Sequence, residues 1–395
     1  MPTRKLTVEP GTRLLHVGPH KTGTTAIQGA FHGARERLAA HGVVYAGTGR
    51  HPQHAAAAIT GARLGRGFGS PTPDHWKALC REVTDAGDRT VVISSEFFAN
   101  ADDAAAREVV DSLGGPRVHV VVTLRPLLKI MPSQWQQYVQ NGLRLSYEEW
   151  LDGMLRKAPY DKPTPTFWRR HRHDALVERW AGMVGPERLT VIVVNSAEPL
   201  RQLRDFEALV GLPEGVLLPE QGTDNRSLTL GEVEFVRLLN KELRKRNWSA
   251  DRYDNLVPMV LRRVRRGHTP TGDEPRIVTP AWAEALAAEV SKEMTDRISA
   301  LGVRIVGDLS SLVIPPRADT EPVAKPMIPS AAAAEAVVGA ILATQPPDAS
   351  APSTAPPPAA VEELPVRAVP ATELLRVVGR RGAGRLRGAV RRRMR

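Results

Sequence analysis

The chain has 395 residues, 42% of them apolar, enough for one large α/β domain or two smaller ones. Its single cysteine, Cys80, excludes an intrachain disulfide framework and fits a reducing compartment. Nine arginines against one glutamate in residues 371–395 supply most of the formal charge of +11. The remainder is near balance, which argues against a fold that binds nucleic acid through a basic face.

The N-terminus has no apolar leader and no stretch reaches the length of a membrane span, so a cytoplasmic protein is expected. The first predicted strand, Leu14–Val17, runs into Gly18-Pro-His-Lys-Thr-Gly-Thr-Thr25 and then into a helical pattern from Thr24 to Ala40. Such a strand, glycine loop and helix make a phosphate cradle. Backbone N–H groups and the positive end of the helix converge on an anion, Lys21 adds a full charge, and Thr22, Thr24 and Thr25 add hydroxyls. A nucleoside triphosphatase loop places its lysine directly after the last glycine, whereas Lys21 precedes Gly23 by two residues. Read in this order, Gly18 to Thr25 resembles the 5′-phosphosulfate-binding loop of sulfotransferases that use 3′-phosphoadenosine 5′-phosphosulfate (PAPS) as donor. The resemblance implies that Thr22, Gly23, Thr24 and Thr25 hold the 5′-phosphate. It also implies that Lys21 steadies the bridging oxygen as adenosine 3′,5′-bisphosphate leaves. No acidic partner for a magnesium ion is evident, and no metal is expected.

Strands follow at Val43–Tyr45 and Thr90–Ser94, with a helix at Trp76–Ala86 that places Cys80 in a packed position. Glu96 stands just past the third strand, on the edge where open α/β sheets bind ligands, and can accept a proton from an acceptor hydroxyl. In polysaccharide-type sulfotransferases, which this part of the chain resembles, a glutamate has that role; His20, beside Lys21, is the rival base. After a helix at Ala104–Leu113, Val118–Leu124 reads as a strand buried on both faces, ended by Arg125-Pro126. The helix Leu127–Asn141 carries Ser133, eight residues beyond Arg125. An arginine at a strand end and a serine on the next helix are similar to the sulfotransferase 3′-phosphate site, and a guanidinium fork suits a phosphate dianion. Pro132 removes an amide donor immediately before Ser133.

A helical pattern at Phe167–Val184 contains Arg170-His-Arg-His-Asp174, whose His171 and His173 would point to different faces and so make poor metal ligands. After a strand at Leu189–Val194 the pattern turns helical, with Leu200–Val210, Leu230–Lys245 and Pro280–Leu301. Asn225-Arg-Ser-Leu228 is expected to cap the helix that follows it. Arg262, Arg263, Arg265 and Arg266 read as a solvated helix face, with an entry surface for an anionic substrate as the alternative. Residues 315–370 are rich in proline and alanine and are expected to form a disordered linker; 371–395 form a basic tail suited to an anionic membrane or polymer.

The alternation of elements gives a P-loop-like α/β domain over residues 1–314, a parallel sheet flanked by helices with a mostly helical second half. The function expected from the resemblance is PAPS-dependent transfer of a sulfuryl group to a hydroxyl or amine of a glycan, lipid or natural product. A P-loop kinase and a non-catalytic nucleotide-binding scaffold are the alternatives.

Overall fold

The five predicted strands form as β1 (Arg13–Val17), β2 (Val43–Tyr45), β3 (Thr90–Ser94), β4 (Val118–Leu124) and β5 (Leu189–Val193), joined by a sixth, β6 (Arg304–Val306). All neighbours pair in parallel, in the order β2-β3-β1-β4-β5-β6. The computed structural model describes residues 6–64, 69–157, 162–195, 197–198, 200–220, 226–317 and 326–344. Every residue of β1, β3, β4 and β5 is buried, as a sheet covered on both faces requires.

The first helices are α1 (Thr24–Gly33), α2 (Arg35–Ala39), α3 (Gln53–Thr60), α4 (Pro73–Asp85), α5 (Asp103–Ser112), α6 (Leu127–Gln140) and α7 (Tyr147–Leu155). They are followed by α8 (Thr166–His171), α9 (His173–Val184), α10 (Arg201–Val210), α11 (Leu230–Lys245), α12 (Ala250–Gly267), α13 (Ala281–Ala300) and α14 (Ser330–Ala343). Two of the helices expected to be continuous are broken. The run from Thr24 to Ala40 divides at Ala34, whose backbone leaves the helical region (φ −103°, ψ 4°). The run from Phe167 to Val184 divides at Arg172 (ψ 85°), whose guanidinium turns onto Asp174 in the next turn. Pro132 lies inside α6, beyond its first turn, where it cannot donate to the carbonyl of Leu128.

The chain divides into two compact units. One, comprising Met1–Gln137, Tyr147–Asn225 and Val278–Glu321, holds the sheet. On one sheet face Leu14, Val92 and Val121 meet Ile27 and Phe31 of α1 and Phe206 of α10. On the other, Leu15, Val91 and Val120 belong to a core with Val109 of α5 and Trp180 of α9. The strand order decides where a ligand can sit. From β1 the chain crosses to the edge strand β2 and returns to β3 beside β1, then crosses to β4 on the other side and builds outward there, so the carboxyl ends of β3, β1 and β4 flank a topological switch point. The segments leaving these three ends begin with Ser95-Glu96, Gly18 and Arg125.

The other unit comprises Tyr138–Ser146, Arg226–Ile277 and Pro322–Arg395. Thr229 caps α11 in a capping box with Glu232, and Arg226 donates to both oxygens of Glu232 (2.8 Å each) and to the terminal carbonyls of α12 at Val264 (3.2 Å) and His268 (2.9 Å). The segment before α11 thus acts as a cap on two helices; Asn225 itself lies outside the described residues. Arg263 pairs with Glu335 (2.7 Å) and Arg265 donates to Gln140 (3.1 Å), so half of the arginine cluster is engaged within this unit. Helix α14 falls inside the stretch expected to be a disordered linker. It lies on α12 through the buried small residues Ala332, Ala336 and Gly339, and a Cβ at Gly339 would come 2.7 Å from the Cα of Val260. A composition poor in large apolar groups argues against a core but not against two helices approaching closely. The rest of that stretch beyond Thr344 and the basic tail 371–395 lie outside the described residues. No helix among the described residues is long and apolar enough to cross a membrane.

Candidate functional site

The turn from β1 into α1 is built around its main chain. Lys21 has φ +71° and Gly23 φ +84°, so a left-handed residue stands on either side of Thr22. For glycine this geometry is free; for lysine it is sparsely populated and must be imposed by the surroundings. Gly18 is required by close approach, because a Cβ there would come 2.2 Å from the Thr24 hydroxyl and 2.8 Å from Nε2 of His16. The hydroxyls expected to hold an anion are partly occupied with holding the loop. Thr22 Oγ1 donates to the carbonyl of Pro19 (2.7 Å) and Thr24 Oγ1 to that of Gly18 (3.1 Å), while Thr25 is exposed. What the loop offers a ligand is therefore chiefly its backbone. No side chain caps α1, and among the described residues no acceptor meets the amides of Gly23, Thr24 and Thr25.

Two cations flank these amides. Lys21 Nζ donates to Oε1 of Gln137 on α6 (3.4 Å), one helical turn beyond Ser133. Arg125, at the end of β4, donates through Nη1 to the Lys21 carbonyl (3.2 Å). Its Nε is buried without a partner, and among the described residues no carboxylate pairs with it. Burial lowers the pKa of this guanidinium. A cation withdrawn from water and left without a counter-ion is costly, and an anionic ligand removes the cost.

Glu96 begins a short 3-10 turn after β3, capped by Ser95. Its Oε2 accepts from Gln28 of α1 (3.1 Å) and lies 3.7 Å from Nδ1 of His51. Burial by itself would raise the carboxyl pKa, but His51, His20 and the Gln28 hydrogen bond outweigh it and hold Glu96 below its ordinary value. His20 meets Phe97 edge-on, with ring centroids 5.9 Å apart, and its Nε2 is buried without a partner. Burial, with Arg170 and Lys21 pushing the same way against Glu96, takes its pKa down to about 3. Glu96 is thus an anion and His20 a neutral imidazole at neutral pH.

The strand ends bring together Lys21, Arg125 and, through α1, Glu96, while Ser133 lies on the helix that Lys21 reaches. Gln28, His51 and Gln137, which sequence reasoning did not single out, complete the surroundings. His171 and His173 are buried with unpartnered ring nitrogens, and no group of three or more His, Cys, Asp or Glu among the described residues is arranged to hold a metal ion. His119 is a satisfied core residue, its Nε2 2.8 Å from the Thr190 hydroxyl.

No protein-family model matches the chain, and no curated protein matches it. Among solved structures it is similar to a sulfotransferase from Alicyclobacillus acidocaldarius, at 20% sequence identity and a TM-score of 0.39, over 56% of this chain and 87% of that one.

Proposed function

We propose that this chain is a sulfotransferase that takes a sulfuryl group from PAPS and passes it to a hydroxyl or amine of a second substrate. The observation that carries the reading is Arg125, a half-buried guanidinium with a fully buried Nε and no carboxylate partner among the described residues, lying against a loop that presents its own anion-binding amides and a lysine. A nucleotide with one phosphate on each side of its ribose answers both demands.

In this reading the amides of Gly23, Thr24 and Thr25 and the exposed Thr25 hydroxyl hold the 5′-phosphate, and Arg125 with Ser133 takes the 3′-phosphate. When bound, PAPS supplies the activated sulfuryl group. Lys21 stabilises the charge that develops on the phosphate oxygen as its bond to sulfur breaks. Glu96 receives the acceptor's proton as the new bond to sulfur forms, and adenosine 3′,5′-bisphosphate departs. Glu96 is favoured over His20 because its carboxylate stands just past β3, held by Gln28 (3.1 Å), whereas the His20 ring packs edge-on against Phe97.

Thermal shift tests the donor. At a hundredfold excess over Kd, adenosine 3′,5′-bisphosphate stabilises the protein by about 2.7 kcal/mol, and AMP at the same concentration does far less. Equal or greater stabilisation by ATP with magnesium replaces this reading with a kinase. Lys21→Ala, with labelled PAPS and a panel of hydroxyl-bearing acceptors, abolishes transfer while bisphosphate binding persists. Binding with no transfer to any acceptor by the unaltered protein points to a scaffold.

A further inference from the structure

Across the carboxyl ends of three adjacent strands runs a line of buried polar side chains: Ser94 on β3, His16 on β1 and Thr123 on β4, each fully buried. His16 stands between Leu15 and Val17 in β1, and its ring lies edge-on to Phe206, with centroids 4.9 Å apart. Its Nδ1 is 2.8 Å from Ser94 Oγ and its Nε2 is 3.1 Å from Thr123 Oγ1. Thr123 Oγ1 in turn is 2.9 Å from Thr22 Oγ1 in the lysine loop.

Counting protons gives this line a direction. Thr22 has one hydroxyl proton and donates it to the Pro19 carbonyl, so across the 2.9 Å contact Thr123 must be the donor. Thr123 then has no proton for the imidazole and can only accept, which puts a hydrogen on Nε2 of His16. In the neutral ring Nδ1 is left as an acceptor, and Ser94 must donate to it. The Tyr45 hydroxyl gives its own proton to the Arg50 carbonyl, so toward Ser94 it could only accept, and the 2.8 Å contact with Nδ1 assigns the single Ser94 proton to His16.

We infer that His16 is the positioning residue of the lysine loop. As the Nε2–H tautomer it carries a one-way chain of hydrogen bonds from Ser94 through Thr123 and Thr22 to the Pro19 carbonyl. The chain holds the backbone that puts Lys21 in its left-handed conformation and aims the amides of residues 23–25. A buried polar network is rigid only when every member is satisfied, and here every hydroxyl and ring nitrogen has one assigned role. The effect on nucleotide affinity rests on the donor proposed above; the tautomer and the order of the loop do not.

The test therefore begins without ligand. Long-range proton–nitrogen correlation on protein labelled with ¹⁵N-histidine, with the His16 signals identified by their loss in His16→Gln, shows a protonated Nε2 and a bare Nδ1 at neutral pH. A protonated Nδ1, or an imidazolium, overturns the inference. Hydrogen exchange at the hydrogen-bonded loop amides of Thr22 and Ala26 accelerates about fivefold to tenfold in His16→Leu and in Thr123→Val, the loss expected for one hydrogen-bonded link. The double variant is no faster than either single one, because a chain broken once is broken. His16→Gln, whose amide can still donate to Thr123, recovers most of the protection. Additive effects, or exchange unchanged in Thr123→Val, overturn the inference. Should His16→Leu fail to fold, Thr123→Val and the spectrum of the unaltered protein decide. Affinity for adenosine 3′,5′-bisphosphate falls in parallel with protection. If the unaltered protein does not bind the bisphosphate, the donor is wrong, while spectrum and exchange still judge the chain of hydrogen bonds.

Discussion

Replacing Arg125 with alanine separates the two anion sites. In the ligand-free protein the guanidinium makes one hydrogen bond among the described residues, to the Lys21 carbonyl, and bears a burial cost that no carboxylate among them offsets. Losing a bond worth about 1.5–3 kcal/mol while relieving the desolvation of an unpaired charge leaves stability little changed. With a 3′-phosphate bound, two charge-assisted hydrogen bonds are at stake, about 3 kcal/mol together and on the order of a hundredfold in Kd. Isothermal titration with adenosine 3′,5′-bisphosphate and with AMP, on Arg125→Ala and the unaltered protein, gives four affinities. The unaltered protein prefers the bisphosphate by about two orders of magnitude, and the variant binds both ligands as the unaltered protein binds AMP. If both affinities fall equally, Arg125 acts only through its bond to the loop and the assignment of the 3′-phosphate is refuted.

Glu96→Gln lowers kcat by about 10²–10⁴ with bisphosphate affinity retained, and His20→Ala has the smaller effect; the reverse order in steady-state kinetics would make His20 the base. Gly18→Ala drives a methyl group into the Thr24 hydroxyl and the His16 ring and destabilises by about 1–3 kcal/mol in urea unfolding. Gly33→Ala, with open space around it at the end of α1, is the control and changes stability by no more than about 1 kcal/mol. Burial depresses His16 and His20 to about 3 and His173 to about 4, so each stays neutral when folded and takes up a proton on unfolding below 6.5. Their stabilisation is complete above that value and is lost as pH falls toward 4, by about 1.4 kcal/mol per pH unit for each histidine. A urea midpoint equal at pH 7 and pH 5 would contradict their burial as neutral rings.

The parts of the site carried by chain-local pattern were readable in advance. Glycines at 18 and 23 around a lysine, and an arginine ending a run of valines, mark strand ends whatever the remainder does. Gln28 and Gln137 carry no such mark, because each reaches the site from a helix whose azimuth only the packed sheet fixes. His16 has a signal, an imidazole between Leu15 and Val17 in a buried strand, but its partners lie 78 and 107 residues away. β6 is three half-buried residues, too short for an alternating pattern. α12 was concealed by Pro258 and by arginines that read as surface. α14 is hidden in the sequence because alanine and glycine bring too little apolar surface to mark a core, whereas their smallness lets the helix approach α12.

The uncapped start of α1 has one more implication. Its three N–H donors hold no proton that comes and goes in the physiological range, and the His20 imidazole and Glu96 carboxylate near them keep their neutral and anionic forms there as well. Whatever anion the turn grips, the strength of that grip across neutral pH should follow the ionisation of the guest rather than of the host. A phosphate monoester will tighten near its own second dissociation, and a sulfate ester, fully ionised throughout, will be held evenly.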